Sequence, residues 1–289
     1  MSAVNLATNP TTKLAAAEEF FAKFPRSSSR LKIAELVTSE LRKVRNSDAA
    51  LILVERAQTI FTAPAERDLL KPIALEAYVK SDRTDEAFQL AAELLANNPD
   101  NLLVLEQMTS VGSEAAKKKN RRYEDVSLQY GERAIALIEA GNQPAGMNDE
   151  TWTAHQQHLG RLYQQISILY LSKGNNVAAK ARLAKASTLR PRDPTSFALL
   201  GRVLNSEYDA QVTAYQSLPE GPAKQEAHQK SEGLLDSIIE AYARATALAT
   251  GRREYQSLIQ QIVPDLTTYY KLRHNQSTAG LQELINRYR

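Results

Sequence analysis

The side chains best suited to chemistry are two histidines, His155 and His158. Three residues apart on a helix, they share a face. Asp149 and Glu150 precede them, so an imidazole pair with a carboxylate at hand is the elementary requirement for a metal site. The spacing is not that of H-E-x-x-H, which needs histidines four apart and a glutamate between them. The leading expectation is therefore a packing or solvent-facing pair, and a metal-dependent enzyme at His155/His158 ranks third among the functions considered. His228 and His274 stand alone among polar residues. The chain has no G-x-S-x-G, no Walker sequence, no G-x-G-x-x-G and no cysteine, which removes the common nucleophile and phosphate-loop signatures. The adjacent carboxylates Glu18-Glu19 and Asp149-Glu150 diverge on a helix. The expectation is a protein that is not an enzyme and that holds no cofactor and no metal.

A second chemistry is electrostatic. Lys117, Lys118, Lys119, Arg121 and Arg122 form one basic run, broken only by Asn120. Such a run binds phosphates by releasing their counterions, so nucleic-acid or anionic-surface binding is the alternative function. No aromatic platform interleaves with it, as single-strand binding favours, and a solvated loop between helices is the plainer reading. The net charge of +3 permits an acidic partner without demanding one. The aromatics are the third candidate. Tyr163 and Tyr170, and Tyr208 and Tyr215, recur at an interval of seven, which places each pair on one helix face and in a repeat core. Trp152, the single tryptophan, is read as packing.

The elements that must position these residues are helical. With 43% hydrophobic and 24% charged residues the chain is expected to fold and stay soluble. No apolar run approaches a membrane span. Tyr163, Ile166, Ser167 and Tyr170 lie at offsets 0, +3, +4 and +7, one face of an α-helix. Ala179, Leu183 and Ala186 mark the next helix beyond Gly174-Asn175-Asn176, and Phe197, Leu200, Gly201 and Leu204 repeat the first pattern. From Tyr163 to Phe197 is 34 residues. Upstream, Ala74, Leu75 and Tyr78, then Ala87, Ala91 and Leu94, give the same sequence of faces, and Ala87 stands as far before Pro99 as Ala179 before Pro191.

This run of large, apolar, small and aromatic positions on one helix, small, large and small on the next, then proline, resembles a tetratricopeptide repeat, whose period is about 34 residues. The resemblance extends over residues 13–289 and is strongest at 68–101 and 160–204. It implies an all-α, right-handed α-α superhelix of about six helix-turn-helix units with a C-terminal capping helix, roughly thirteen or fourteen helices in all. Residues 1–12 are expected to be a loose arm. Irregular insertions are expected near 112–122, 141–158 and 205–237, the last long enough to fill the groove of the solenoid. Pro264 is expected to begin a new helix, and Gln276-Ser277-Thr278 to cap a last one over 278–288.

The resemblance also implies a way of working, in which first helices line a concave groove that binds a peptide or protein. The matching positions are Arg161, Gln164 and Ile168, then Ala198, Arg202 and Asn205, with Glu76 and Glu106 upstream. In the carboxylate-clamp branch of the family, Lys and Asn stand where this chain has Gln164 and Ile168, so that mode of recognition does not carry over. The phrase EEFFAKFPRSS is similar to repeat endings of bacterial cell-envelope tetratricopeptide proteins. That similarity implies a periplasmic or envelope setting with a trimmed signal, the cytoplasm being the alternative, since MSAVNLATNPTTK lacks signal-peptide regions. The expected partner is a protein or peptide of unknown identity.

Overall fold

The computed structural model describes residues 2–289. The described residues form fourteen α-helices and a 3-10 turn at Arg253–Tyr255, with no strand. The chain divides into two compact units, one ending at Val104 and one running from Leu105 to Arg289.

In the first unit the helices are α1 (Ser2–Leu6), α2 (Pro10–Lys23), α3 (Arg30–Leu41), α4 (Ser47–Ile60), α5 (Pro64–Lys80) and α6 (Thr84–Asn97). Their starts are written locally. Asn9 accepts from the Thr12 amide at 2.9 Å with Pro10 at the first helical position, and Asn46 accepts from the Ala49 amide at 2.8 Å, each satisfying a backbone donor that a helix start leaves open. The expected arm over 1–12 thus holds a short helix and the first residues of α2, and Val4 is fully buried. Met1 lies outside the described residues. The core comes from one stripe per helix: Leu14, Ala17 and Phe21 of α2, Ile33, Val37 and Leu41 of α3, Val54, Ala57 and Phe61 of α4, Leu70, Ala74 and Ala77 of α5. Phe21 meets Phe61 edge-on at 5.6 Å.

The helix α7 (Leu102–Lys117) begins just before the division between units. It is followed by α8 (Glu124–Glu139), α9 (Asp149–Ser172), α10 (Asn176–Leu189), α11 (Pro194–Ser217), α12 (Pro222–Ala249), α13 (Gln256–Arg273) and α14 (Leu281–Asn286). From α8 to α13 each helix packs on the next, and α9 also touches α11, as α11 touches α13. This is the serial, nearest-neighbour organisation of an α-solenoid. Asn148, Asn175 and Asp193 cap α9, α10 and α11. Small positions of the 34-residue pattern let neighbours come close. A Cβ on Gly201 would lie 2.4 Å from the ring of Tyr242, which is itself almost fully buried.

Two boundaries differ from expectation. Residues 256–273 are one helix through Pro264. An interior proline removes a hydrogen bond and costs about 3 kcal/mol. Ile262, Leu266 and Tyr270 keep one stripe of α13 buried on both sides of it, and that burial outweighs the break. The last helix is also shorter than 278–288. Gly280 takes φ 89° at its start, and the Tyr270 hydroxyl donates to the Ala279 carbonyl at 2.8 Å.

Residues 205–237, expected as an insertion, form the end of α11 and the start of α12, a paired hairpin whose tip is 218–221. The Gln211 amide donates to the Ala227 carbonyl at 3.3 Å, Tyr215 lies 5.4 Å from the His228 ring, and Lys224 sits over Tyr215.

Candidate binding surface

Glu106, expected in the groove, meets the two histidines, expected as a packing or solvent-facing pair. His155 Nδ1 is 2.9 Å from Glu106 Oε1 and His158 Nδ1 is 3.6 Å from Oε2. His155 is buried and His158 open to solvent. Among the described residues no group of three or more His, Asp and Glu side chains is disposed to hold a metal. Asp149, the nearby carboxylate considered from sequence, accepts instead from Gln143 at 3.1 Å.

Gln164 and Ile168 do not reach a surface. Every residue of α9 from Leu162 to Leu169 is buried. Gln164 Nε2 donates to Asp193 Oδ2 at 2.7 Å and to Ser196 Oγ at 3.0 Å, and Arg190 pairs with the same carboxylate at 3.1 Å. The amide thus ties the middle of α9 to the start of α11. Ile168 packs with Leu169, Leu183 and Val203. The physical reason is that α9 is wrapped by α8, α10 and α11, so positions that would be open on a less crowded first helix are interior here. Arg161 is exposed. Glu76, in the first unit, is exposed and pairs with Lys80 at 2.6 Å.

The tyrosines at an interval of seven are core by ring and polar by tip. Tyr163 donates to Glu139 at 2.5 Å and Tyr170 to Glu132 at 2.9 Å, with Arg182 on Glu132 at 2.9 Å. Burial and the Glu139 carboxylate push the Tyr163 hydroxyl up to about 12. Trp152 is buried. In the basic run, Lys117 pairs with Glu114 at 2.6 Å and Arg121 approaches Glu124 at 3.9 Å. Lys119 is exposed in the turn at φ 64°, and Arg122 lies 5.2 Å over the Tyr123 ring. Lys118 is exposed. Acidic neighbours therefore offset part of the charge that phosphates would need.

Of the residues expected in the groove, Arg202 is exposed and Asn205 half-buried on α11. Three residues apart, they share a face of α11 with Asp209, and Tyr208 follows Asn205 toward α13. The Tyr269 hydroxyl of α13 donates to Asn205 Oδ1. The Tyr269 ring stands edge-on to Tyr208 at 6.3 Å and lies over Tyr242 of α12 at 6.4 Å. Burial raises the Tyr269 hydroxyl, and Asp209, Asp265 and Tyr208 raise it further. Burial also raises that of Tyr242, helped by Asp265 and Tyr269 and opposed by Arg202. Two carboxylates and a guanidinium therefore act on one tyrosine group. None of Arg202, Asp209 and Asp265 makes an ion pair among the described residues, and all three are exposed. Tyr269 and Asp265 carried no repeat signal of their own. The +4 spacing from Asp265 to Tyr269 on an amphipathic helix is the only trace they leave in the sequence.

No protein-family model matches the chain, and no curated protein matches it. Among solved structures it is similar to a thermophilic TPR protein of Thermus thermophilus, with a TM-score of 0.41 and 16% identity, over 81% of this chain and 99% of that one. At that level the solenoid reading stands on the helix-to-helix packing described above.

Proposed function

We propose that the chain is a non-enzymatic scaffold that binds a peptide or protein segment, and that the contact centres on Arg202, Asn205, Tyr208 and Asp209 of α11 with Asp265 and Tyr269 of α13. One observation carries this reading: three exposed, unpaired charges surround tyrosines whose rings are fixed by packing. Tyrosine and arginine presented rigidly are the residues that dominate binding energy at interfaces, because little side-chain freedom is lost on contact. Helices packed in series present such a row without any moving part.

The test is selection of binders from a random-peptide display library on the purified full chain, followed by affinity measurement on wild type, Arg202→Glu and Asp265→Lys. Both sites are exposed, so the fold is retained, as circular dichroism checks. Selected peptides are expected to weaken at least about tenfold on one or both variants, or about 1.4 kcal/mol. Peptides that bind both variants as they bind wild type overturn the assignment of this surface.

A further inference from the structure

A cleft of about 350 Å³ lies in the first unit between α4, α5 and α6, far along the chain from the tyrosines of α11–α13 and independent of their role. Its volume is at the small end of ligand sites, roughly 300–1,000 Å³. Its charges are sorted by wall. Arg67 and Lys71 stand four apart on α5, on one face of the helix. Glu86 and Glu93 stand on α6 opposite.

The helices do not neutralise this arrangement across the cleft. Lys71 is held by Asp68 of its own helix at 2.9 Å. Glu86 is held by Arg83 through two bonds of 2.9 and 2.6 Å, and these bonds, above all, hold its carboxyl below the ordinary value. Arg67 and Glu93 have no ion pair or hydrogen-bonding side-chain partner among the described residues. Between the walls the surface is apolar: Leu70 is buried, Leu90 half-buried, and the half-buried Tyr78 ring, with the Arg83 guanidinium 5.0 Å above it, closes one end.

We infer that this cleft is a site for a small zwitterion with an apolar body, the chemistry of a free α-amino acid with a hydrophobic side chain. A carboxylate between Arg67 and Lys71 meets one free guanidinium able to take it by two parallel bonds, and a second cation beside it. An ammonium group on the same molecule faces Glu93. The side chain then covers Leu70, Leu90 and Tyr78. A simple anion leaves Glu93 unanswered, and a simple amine leaves Arg67 so. Only a ligand with both charges satisfies both walls.

The experiment is calorimetric titration of the full chain with leucine and with phenylalanine, and then with 4-methylpentanoate and 3-methylbutylamine, which carry the leucine skeleton with one charge each. At least one amino acid is expected to bind saturably, and each one-charge analogue of leucine at least about tenfold more weakly than leucine if leucine is the binder. If phenylalanine alone binds, 3-phenylpropanoate and phenethylamine replace those analogues, with the same expectation. Arg67→Ala and Glu93→Ala, both at exposed positions, are each expected to weaken the amino acid at least about tenfold, and Glu76→Ala, outside the cleft, to leave it unchanged. Absence of saturable binding by both amino acids up to about 20 mM overturns the inference, as do one-charge analogues that bind equally or variants that bind as wild type. Peptide binding at α11–α13 is read separately and is unaffected by any of these outcomes.

Discussion

Replacing Glu66 by Gln tests how the first unit closes on itself. Glu66 is only 2% exposed. Its two oxygens accept from Arg30 Nε at 2.6 Å and Nη2 at 2.8 Å, and Oε2 also accepts from the Ala63 amide at 3.2 Å. That last bond reaches back over the start of α5 as the acidic half of a capping box does. Arg30 in turn donates to the Ile60 carbonyl at 3.2 Å and lies 4.1 Å over the Phe21 ring. One pair therefore joins α2, α3, α4 and α5. In Glu66→Gln the shape survives and the charge does not, so a guanidinium only one-fifth exposed loses its counter-ion. Breaking a buried pair from one side costs about 3–5 kcal/mol, and the partial exposure of Arg30 places this one near 3 kcal/mol.

The assay is urea unfolding followed by circular dichroism between pH 7 and 3. Burial pushes the Glu66 carboxyl up, but the Arg30 bonds and the Ala63 and Thr62 amides outweigh it, and the net shift is downward. A carboxyl lowered in the folded state gives stability that is complete above its ordinary value near 4.5 and is lost as pH falls through the lower folded value. The difference between wild type and Glu66→Gln should thus be full at pH 7 and shrink as the pH drops below the ordinary value. Arg30→Met with Glu66→Leu should recover most of the loss, because two apolar groups leave no charge unpaired. A cost under about 1 kcal/mol for Glu66→Gln, or a difference that does not change with pH, refutes the reasoning.

Two further outcomes follow from the second unit. Gly201→Ala places a methyl against the buried Tyr242 ring at 2.4 Å; overpacking of this kind costs about 1–3 kcal/mol, and a lowered melting temperature in scanning calorimetry checks it. Tyr163→Phe should lower stability at neutral pH, and the difference from wild type should close on the alkaline limb. The Tyr163 hydroxyl is raised from 10 to about 12, so its contribution is complete below 10 and lost as pH rises through about 12. Urea midpoints of wild type and Tyr163→Phe should converge over that window, and a constant gap would contradict the proton assignment.

The helical pairs were legible because the small, large and small positions are imposed by close approach. Ala179, Leu183 and Ala186 are fully buried, and Gly201 admits the Tyr242 ring. The surface was less legible. Gln164 and Ile168 occupy groove positions of the repeat but lie inside, since burial on α9 depends on how many neighbours surround it, which no single-helix pattern reports. The repeat pattern marks Arg202 and Asn205 but not Tyr269 and Asp265, which come to the same neighbourhood from α13, more than fifty residues later. The pairing of Glu106 with His155 and His158 has the same cause. Residues 2–12 and Pro264 show the converse: a local cap set one boundary, and tertiary burial overrode another.

The hairpin of α11 and α12 has a consequence for how the chain can change. Each arm advances about 1.5 Å per residue. Between 211 and 231 the described hydrogen bonds and ring contacts run from arm to arm or along one arm. Length added to one arm alone would slide Tyr215 away from His228 and Gln211 from Ala227. Length added to both in matched turns would restore every one of those meetings farther out. The hairpin is thus an element whose length can differ by matched additions of about two turns per arm while the repeat beneath keeps its register.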